Sequence, residues 1–351
     1  MKFRPHMNLL MKCTFAFYAT TSIAFGQVGM RELTVDTLPI TVVYPTEEKV
    51  VRLERGSFQL DVAMNAKGKV GNRRLIVMSH GTAGSALSDH LLASSLAKAG
   101  YIVAQPLHTG DNFKDASKAG PESFKTRPLE ISKTINALVT DPQLGNLFDA
   151  TKVGVHGMSA GGATALTVAG AKWNMLTMIQ HCGKNLEEDL GFCLSGTGHD
   201  KVAQTKRRVQ YQTGALVPEA YLPAELKTLF GGANDERIRV VTVSVPVAAI
   251  FTAESLSKIT IPVGVLAASN DEWLLPKFHS EYVLKQCKAC VSLGTLPNAG
   301  HMDLLAPWPT AVANSVGAQA TRGGMPNPKF DEKDRILGFE RIIKFFNQHL
   351  N

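Results

Sequence analysis

The residues with the clearest capacity for chemistry are Gly157-Met158-Ser159-Ala160-Gly161, a serine with a glycine two positions to either side. A serine hydroxyl is a weak nucleophile until a hydrogen-bonded imidazole takes its proton. The pentapeptide suits that task when the serine sits on a strained turn between a strand and a helix, because only glycine neighbours let the backbone pass. In a chain with 30 glycines the motif by itself is weak and needs context. Lys152–His156 reads as a strand immediately before it, and Ala160–Ala169 as a helix immediately after, with Gly161, Gly162 and Ala163 permitting close approach. Ser159 is therefore expected to be a nucleophile rather than part of a plain tight turn. The helix start also brings backbone N–H groups and a positive dipole end beside the serine.

A base should come from late in the chain, and His301 follows Pro297-Asn298-Ala299-Gly300 directly after the apolar run Val291–Leu296. The other late histidines fit less well: His279 falls in an expected helix and His349 in the last turn, so both read as solvated or packing residues. The imidazole needs a carboxylate to fix its tautomer and stabilise its charged form. Asp271, at the end of Ile261–Ala267, is best placed, with Glu272 and Glu254 as rivals and a simple turn role as the alternative. Leu75–Met78 runs into Ser79-His80-Gly81-Thr82-Ala83-Gly84, a strand feeding a glycine-containing loop where an oxyanion hole would be completed. The backbone N–H groups of Thr82 and Ala160 are the expected donors, and His80 is expected to brace the loop.

Those residues need a scaffold, and the chain supplies one. Apolar, β-branched runs at Ile40–Tyr44, Leu75–Met78, Tyr101–Ala104, Lys152–His156, Ile238–Val243, Ile261–Ala267 and Val291–Leu296 alternate with helix-like stretches. That alternation predicts an α/β domain: a mostly parallel central sheet with helices on both faces. The order Ser159, Asp271, His301, with spacings of 112 and 30 residues, is the order of the α/β-hydrolase fold. Roughly Lys172 to Glu236 is too long for a connecting loop and is expected to hold the remainder of one helix and then a small cap insertion. Glu332–His349 carries apolar residues at helical spacing and predicts a final helix packed on the sheet.

Further polar residues cluster after the third core strand. His108, Asp111 and Asn112 read equally as pocket lining or loop bracing, and as metal ligands they are too few. Arg127 with Glu130 reads as a structural ion pair. Trp173, Trp273 and Trp308 could shape an acyl pocket, though large aromatics more often belong to the core.

Taken together, Ser79–Thr82, Pro106–Asn112, Arg127–Ile131, Val153–Gly162, Ala267–Pro276 and Ala299–His301 resemble the predicted dienelactone-hydrolase-like enzymes related to platelet-activating-factor acetylhydrolases, across roughly residues 35–305. The resemblance implies a serine hydrolase of the α/β-hydrolase fold that cleaves carboxylic esters without a metal or organic cofactor. Two departures matter. Dienelactone hydrolases proper use a cysteine nucleophile where this chain has Ser159. The acetylhydrolases place their acid after the preceding strand, yet Ile238–Ile250 contains no acidic residue. Transfer of phospholipid specificity is weakened accordingly. A lipase or phospholipid acyl-hydrolase, an amidase or peptidase on the same triad, and a non-catalytic binding protein of this fold are the alternatives.

Composition narrows the setting. A basic stretch to Lys12, an apolar stretch from Cys13 to Phe25 and small residues near the end read as a secretory signal over residues 1–26, leaving 27–351 as the catalytic domain. The apolar stretch is shorter than the roughly 20 residues of a bilayer span, which argues against a stable membrane anchor. Without the leader the net charge falls from +7 to +4, and Lys206-Arg207-Arg208 stands alone, so nucleic acid is not an expected partner. The remaining cysteines, Cys182, Cys193, Cys287 and Cys290, are an even set suited to an oxidising compartment, periplasmic or secreted. The expected pairing is Cys182 with Cys193 and Cys287 with Cys290. The expected partner is a small-molecule or lipid ester; the oligomeric state is not legible.

Overall fold

The structure, a computed structural model, describes residues 26–351 apart from 57, 198, 199, 233, 234, 306, 308 and 312–326. Almost all of the expected signal segment, and Trp308, lie outside the described residues.

Among the described residues, ten strands form one sheet in the order β10-β9-β8-β7-β5-β6-β2-β1-β4-β3. The six at one side, β6 (Ile102–Pro106), β5 (Leu75–Ser79), β7 (Val153–Met158), β8 (Ile238–Ser244), β9 (Val263–Ala268) and β10 (Cys290–Leu296), run parallel to one another. Each coincides with an apolar run legible in the sequence. At the other side β2 (Leu38–Thr46) pairs antiparallel with β6 and with β1 (Gln27–Val35), and β4 (Phe58–Met64) joins β1 and β3 (Val51–Arg55).

The side chains of the parallel strands alternate between two cores, as a period of two requires. Leu75, Val77, Val153, Val155, Val263 and Val265 face a cluster shared with α2 (Pro121–Thr140), α3 (Ala160–Val168), α8 (Ala253–Ser257) and α9 (Ser280–Gln286). Ile76, Met78, Val103, Val240 and Leu266 face a second cluster built with α1 (His90–Lys98) and α10 (Glu332–His349). The sheet is therefore covered on both faces, which is why its central strands can be almost wholly apolar. In α10, Phe339, Ile342, Phe345 and Phe346 are buried, so the helical stripe legible in the sequence is the face that packs.

Between β7 and β8 the chain leaves the sheet and forms α4 (Met175–Asn185), α5 (Leu190–Cys193), α6 (Lys201–Leu216) and α7 (Ala224–Lys227). Helix α3 ends at Val168, before Lys172, so this insertion consists of separate helices and holds no remainder of α3. Buried Trp173 closes its base by exchanging backbone hydrogen bonds with Phe230, at 2.9 and 2.8 Å. Disulfides join Cys182 to Cys193 and Cys287 to Cys290, the expected pairing. Among the described residues no helix is long and apolar enough to cross a membrane.

Candidate active site

In chain order β5 leads to β6 on one side, and the next strand of the sheet, β7, lies on the other side of β5. This reversal opens a crevice at the carboxyl ends of β5 and β7, where ligands of open α/β sheets bind. Ser79 ends β5, and Ser159 directly follows β7.

Ser159 has φ +57° and ψ −118°, a backbone conformation that L-residues rarely adopt. The glycines explain how it is tolerated. A Cβ on Gly157 would lie 2.0 Å from the Gly161 carbonyl oxygen, and a Cβ on Gly161 would lie 1.8 Å from that of Ser79. Neither position can carry a side chain, so the strand, the turn and α3 approach at backbone contact. Two hydrogen bonds tie the turn to the next strand: the Ser159 N–H donates to Ser244 O at 3.1 Å, and the Val247 N–H donates to Ser159 O at 3.0 Å. Val245 between them has φ +40°, a second strained residue at the same strand ends.

The structure brings Ser159, His301 and Asp271 together. His301 Nδ1 donates to Asp271 Oδ2 at 2.8 Å, which leaves Nε2 unprotonated to accept the Ser159 hydroxyl at 3.0 Å. Asp271 is oriented by accepting the N–H groups of Trp273 and Leu274 on Oδ1, at 2.9 and 2.8 Å. Asp271 and His301 are both buried, so their attraction is little screened by water. The rivals are elsewhere. Glu272 is exposed, and Glu254 lies exposed on α8, its carboxyl held below the usual value by a hydrogen bond from Lys258. After β8, where an acetylhydrolase-like acid would stand, the buried side chains are Val245, Val247, Ala248, Ala249 and Ile250. Asp303 fixes the His301 loop by accepting the Gly300 N–H at 2.7 Å and the Asn327 N–H at 3.0 Å.

Ala160 directly follows the serine in the chain, and Thr82 directly follows Gly81. Gly81 lies so near that a Cβ there would stand 3.4 Å from Ser159 Cβ. Neither the Thr82 nor the Ala160 backbone N–H donates to any acceptor among the described residues. His80 is buried and braces the loop: Nδ1 donates to Gly81 O at 2.7 Å, and Nε2 accepts the His108 N–H at 3.2 Å.

The cluster after β6 differs from its sequence reading. Arg127 does not bond Glu130; its partner is Asp111, at 2.7 Å, with both side chains fully buried. Glu130 instead accepts from His108 Nδ1 at 2.7 Å, and His108 Nε2 accepts the Ser79 hydroxyl at 2.8 Å. Burial, reinforced by the Arg127 charge, pushes the His108 pKa well below the ordinary histidine value and keeps it neutral. His108, Asp111 and Asn112 are thus bracing residues with their polar atoms committed to protein.

Some arrangements had no signal in sequence. Trp273 stacks on His301, ring centroids 5.4 Å apart and planes 23° apart, and its indole N–H is buried without an acceptor among the described residues. His279 is fully buried rather than solvated. Its Nδ1 accepts the Ala248 N–H at 3.0 Å, while Nε2 donates to Asp189 Oδ2, which also accepts from His181 at 2.8 Å. These partners lie 90 and 8 residues apart in sequence, a separation at which no motif can be read.

The family model described as the dienelactone hydrolase family matches residues 61–193, a segment holding the Ser79–Gly84 loop and Ser159 but neither Asp271 nor His301. Among solved structures the chain is similar to a ferulic acid esterase from Streptomyces cinnamoneus. That likeness has 15% identity, covers 94% of this chain and 91% of that one, and has a TM-score of 0.55. No curated protein matches. With the strand order and the turn at Ser159, these similarities give the chain the α/β-hydrolase fold.

Proposed function

We propose that the chain is an exported serine esterase that cleaves carboxylic esters through an acyl-enzyme intermediate. The observation that carries this reading is the unbroken relay Ser159 Oγ, His301 Nε2, His301 Nδ1, Asp271 Oδ2, at 3.0 and 2.8 Å. As the Ser159 oxygen attacks the ester carbonyl, its proton passes to His301 Nε2, and Asp271 stabilises the imidazolium that forms. The carbonyl oxygen, now carrying the negative charge, is received by the N–H groups of Thr82 and Ala160. The tetrahedral intermediate collapses with the C–O bond to the alcohol breaking, and His301 returns its proton to the departing oxygen. Water then attacks the acyl-serine by the same sequence, releasing the acid and restoring the Ser159 hydroxyl.

Support comes also from the dienelactone hydrolase match around the nucleophile and from the esterase with a similar fold. Two disulfides and a basic-then-apolar leader over residues 1–26 support export. The neighbour's name makes aromatic esters the first substrates to try. The test is labelling by a fluorophosphonate probe, followed by turnover of methyl ferulate and of p-nitrophenyl esters of rising chain length. Wild-type protein should be labelled and active, and Ser159→Ala should lose both while its melting temperature holds. Wild-type rates in Ser159→Ala would refute the serine mechanism. Activity rising toward the longest acyl chains, and strongest on dispersed lipid, would move the substrate class to lipid esters.

A further inference from the structure

The guanidinium of Arg127 is fully buried on α2, and its hydrogen bonds all go to residues outside that helix. Nη1 donates to His80 O at 2.6 Å, and Nη2 reaches Gly81 O at 3.3 Å, Asp111 O at 3.3 Å and Asp111 Oδ2 at 2.7 Å. Asp111 in turn accepts the Ala83 N–H on Oδ1 at 2.9 Å. One buried ion pair therefore holds the peptide groups on both sides of Thr82.

The geometry points to Arg127 as a positioning residue for the oxyanion hole: paired with Asp111, it fixes the Gly81–Thr82 peptide so that the Thr82 N–H is turned toward the Ser159 reaction centre. The inference rests on the serine esterase reading and deepens it. In a trans peptide the C=O and N–H point in opposite directions, so holding the Gly81 oxygen from one side aims the Thr82 N–H to the other. The Gly81 oxygen accepts three hydrogen bonds, from His80 Nδ1 at 2.7 Å, Gly84 N–H at 3.1 Å and Arg127. Such crowding on one carbonyl polarises its peptide and makes the N–H at the far end a better donor. Ala83 has φ +53°, a conformation that persists in a residue with a Cβ only when the surroundings hold it, and Asp111 is the group bonded to its N–H.

The choice of residue fits this task. A buried ion pair is a poor device for stability alone, since apolar residues of similar volume usually serve as well or better. Arg127 even leaves its buried Nε without an acceptor among the described residues, so the Nη contacts are satisfied at the expense of that one. A planar fork can engage two successive carbonyls and a carboxylate at once, whereas a lysine ammonium presents a single point.

The test compares wild type with Arg127→Lys, Arg127→Met and Asp111→Asn. It reads kcat and KM on an aryl ester, the affinity for an aryl boronic acid that forms a tetrahedral adduct with Ser159, and the melting temperature. Removing one oxyanion donor costs on the order of 10²–10³ in kcat. Arg127→Lys should therefore lose roughly 10²-fold in kcat with KM within about threefold, and boronate affinity should fall in step. Asp111→Asn keeps an oxygen for Ala83 but loses the carboxylate charge, so it should show the same pattern at roughly tenfold even if Arg127→Met does not fold. A folded Arg127→Lys, or a folded Asp111→Asn, with wild-type kcat and boronate affinity would overturn the proposal. So would losses confined to melting temperature. A wild-type protein that neither takes the fluorophosphonate probe nor turns over esters would instead overturn the esterase reading, and this inference with it.

Discussion

At the scale of single residues the site depends on one carboxylate and on two glycines. Asp271 meets its partners on both oxygens: Oδ2 accepts the hydrogen bond from His301 Nδ1, and Oδ1 accepts two backbone N–H groups. In Asp271→Asn an amide nitrogen facing His301 favours the wrong tautomer and cannot stabilise the imidazolium. Turnover should fall by several orders of magnitude, since the same substitution in the triad of a serine protease costs about 10⁴. Glu272→Gln and Glu254→Gln, at exposed positions, should stay within about threefold of wild type. Steady-state rates at pH 7 and at pH 9 distinguish these outcomes, because an imidazole deprived of its partner is more often neutral at the higher pH and part of the loss should return. A near-wild-type Asp271→Asn would refute the assignment. Gly161→Ala is a steric test of the turn: with a Cβ 1.8 Å from the Ser79 oxygen, α3 must move away from β5. Probe labelling of Ser159 should be lost even in the fraction that folds.

At the scale of elements, the insertion after α3 shares the apolar core on one face of the sheet and adds specific polar contacts to it. Asp189, the residue before α5, accepts from His181 on α4 and from His279 at the start of α9. Burial alone would push its carboxyl up, but these two hydrogen bonds hold it below the ordinary value. The same loop carries the Cys182–Cys193 disulfide, and Gly191 packs so tightly that a Cβ would meet the Glu272 oxygen at 2.5 Å and Trp273 Cα at 2.6 Å. The insertion therefore rests directly on the loop that carries Asp271. Asp189→Ala leaves one buried and one partly buried imidazole N–H without their acceptor and should cost about 3 kcal/mol. Replacing both Cys182 and Cys193 by serine removes a closure that the chain-entropy account values at about 3 kcal/mol for a loop of this size. Denaturant titrations followed by tryptophan fluorescence measure both. If both variants melt like wild type, the insertion is held by its apolar contacts instead.

At the scale of the whole molecule the pH response follows from the buried histidines. His80, His108 and His156 are all buried, and desolvation pushes each below the ordinary pKa of 6.5, His156 to about 3. A histidine with a depressed folded pKa binds protons better when unfolded. Its contribution is complete above pH 6.5 and is lost as pH falls toward the folded value, by up to about 1.4 kcal/mol per pH unit for each group. Asp89 works in the opposite sense. Burial raises its pKa to about 7, so it costs stability as pH rises from near 4 to 7 and nothing further above that. The net expectation is a melting temperature that is flat from pH 7 to 9 and falls steeply below about 6.5. In His156→Gln the acid limb should shallow by about one proton's worth, and Asp89→Asn should gain stability at pH 8. An acid limb of unchanged slope in His156→Gln would show that this histidine is not the group being charged.

The sequence alone determined what local pattern can encode. Seven apolar runs became seven strands, Glu332–His349 became α10, and Cys182, Cys193, Cys287 and Cys290 paired with near neighbours. The turn at Ser159 was legible because glycine spacing, a strand and a helix meet within a dozen residues, and sterics there leave little choice. The strands β1, β3 and β4 were not, since they lie at the antiparallel side of the sheet: β1 and β4 mix buried with exposed residues, and Val51–Arg55 buries none fully. Only the tertiary structure decided which charged groups are partners. Arg127 is three residues from Glu130 and sixteen from Asp111, yet the turn after β6 folds Asp111 under the guanidinium and leaves Glu130 to His108. The joining of Asp189 to His181 and His279 was likewise settled by packing of the insertion on α9. The physical reason is common to all these cases. Strand and helix patterns arise from forces repeating over a few residues, whereas a buried charge takes whichever partner the assembled fold places within hydrogen-bond reach.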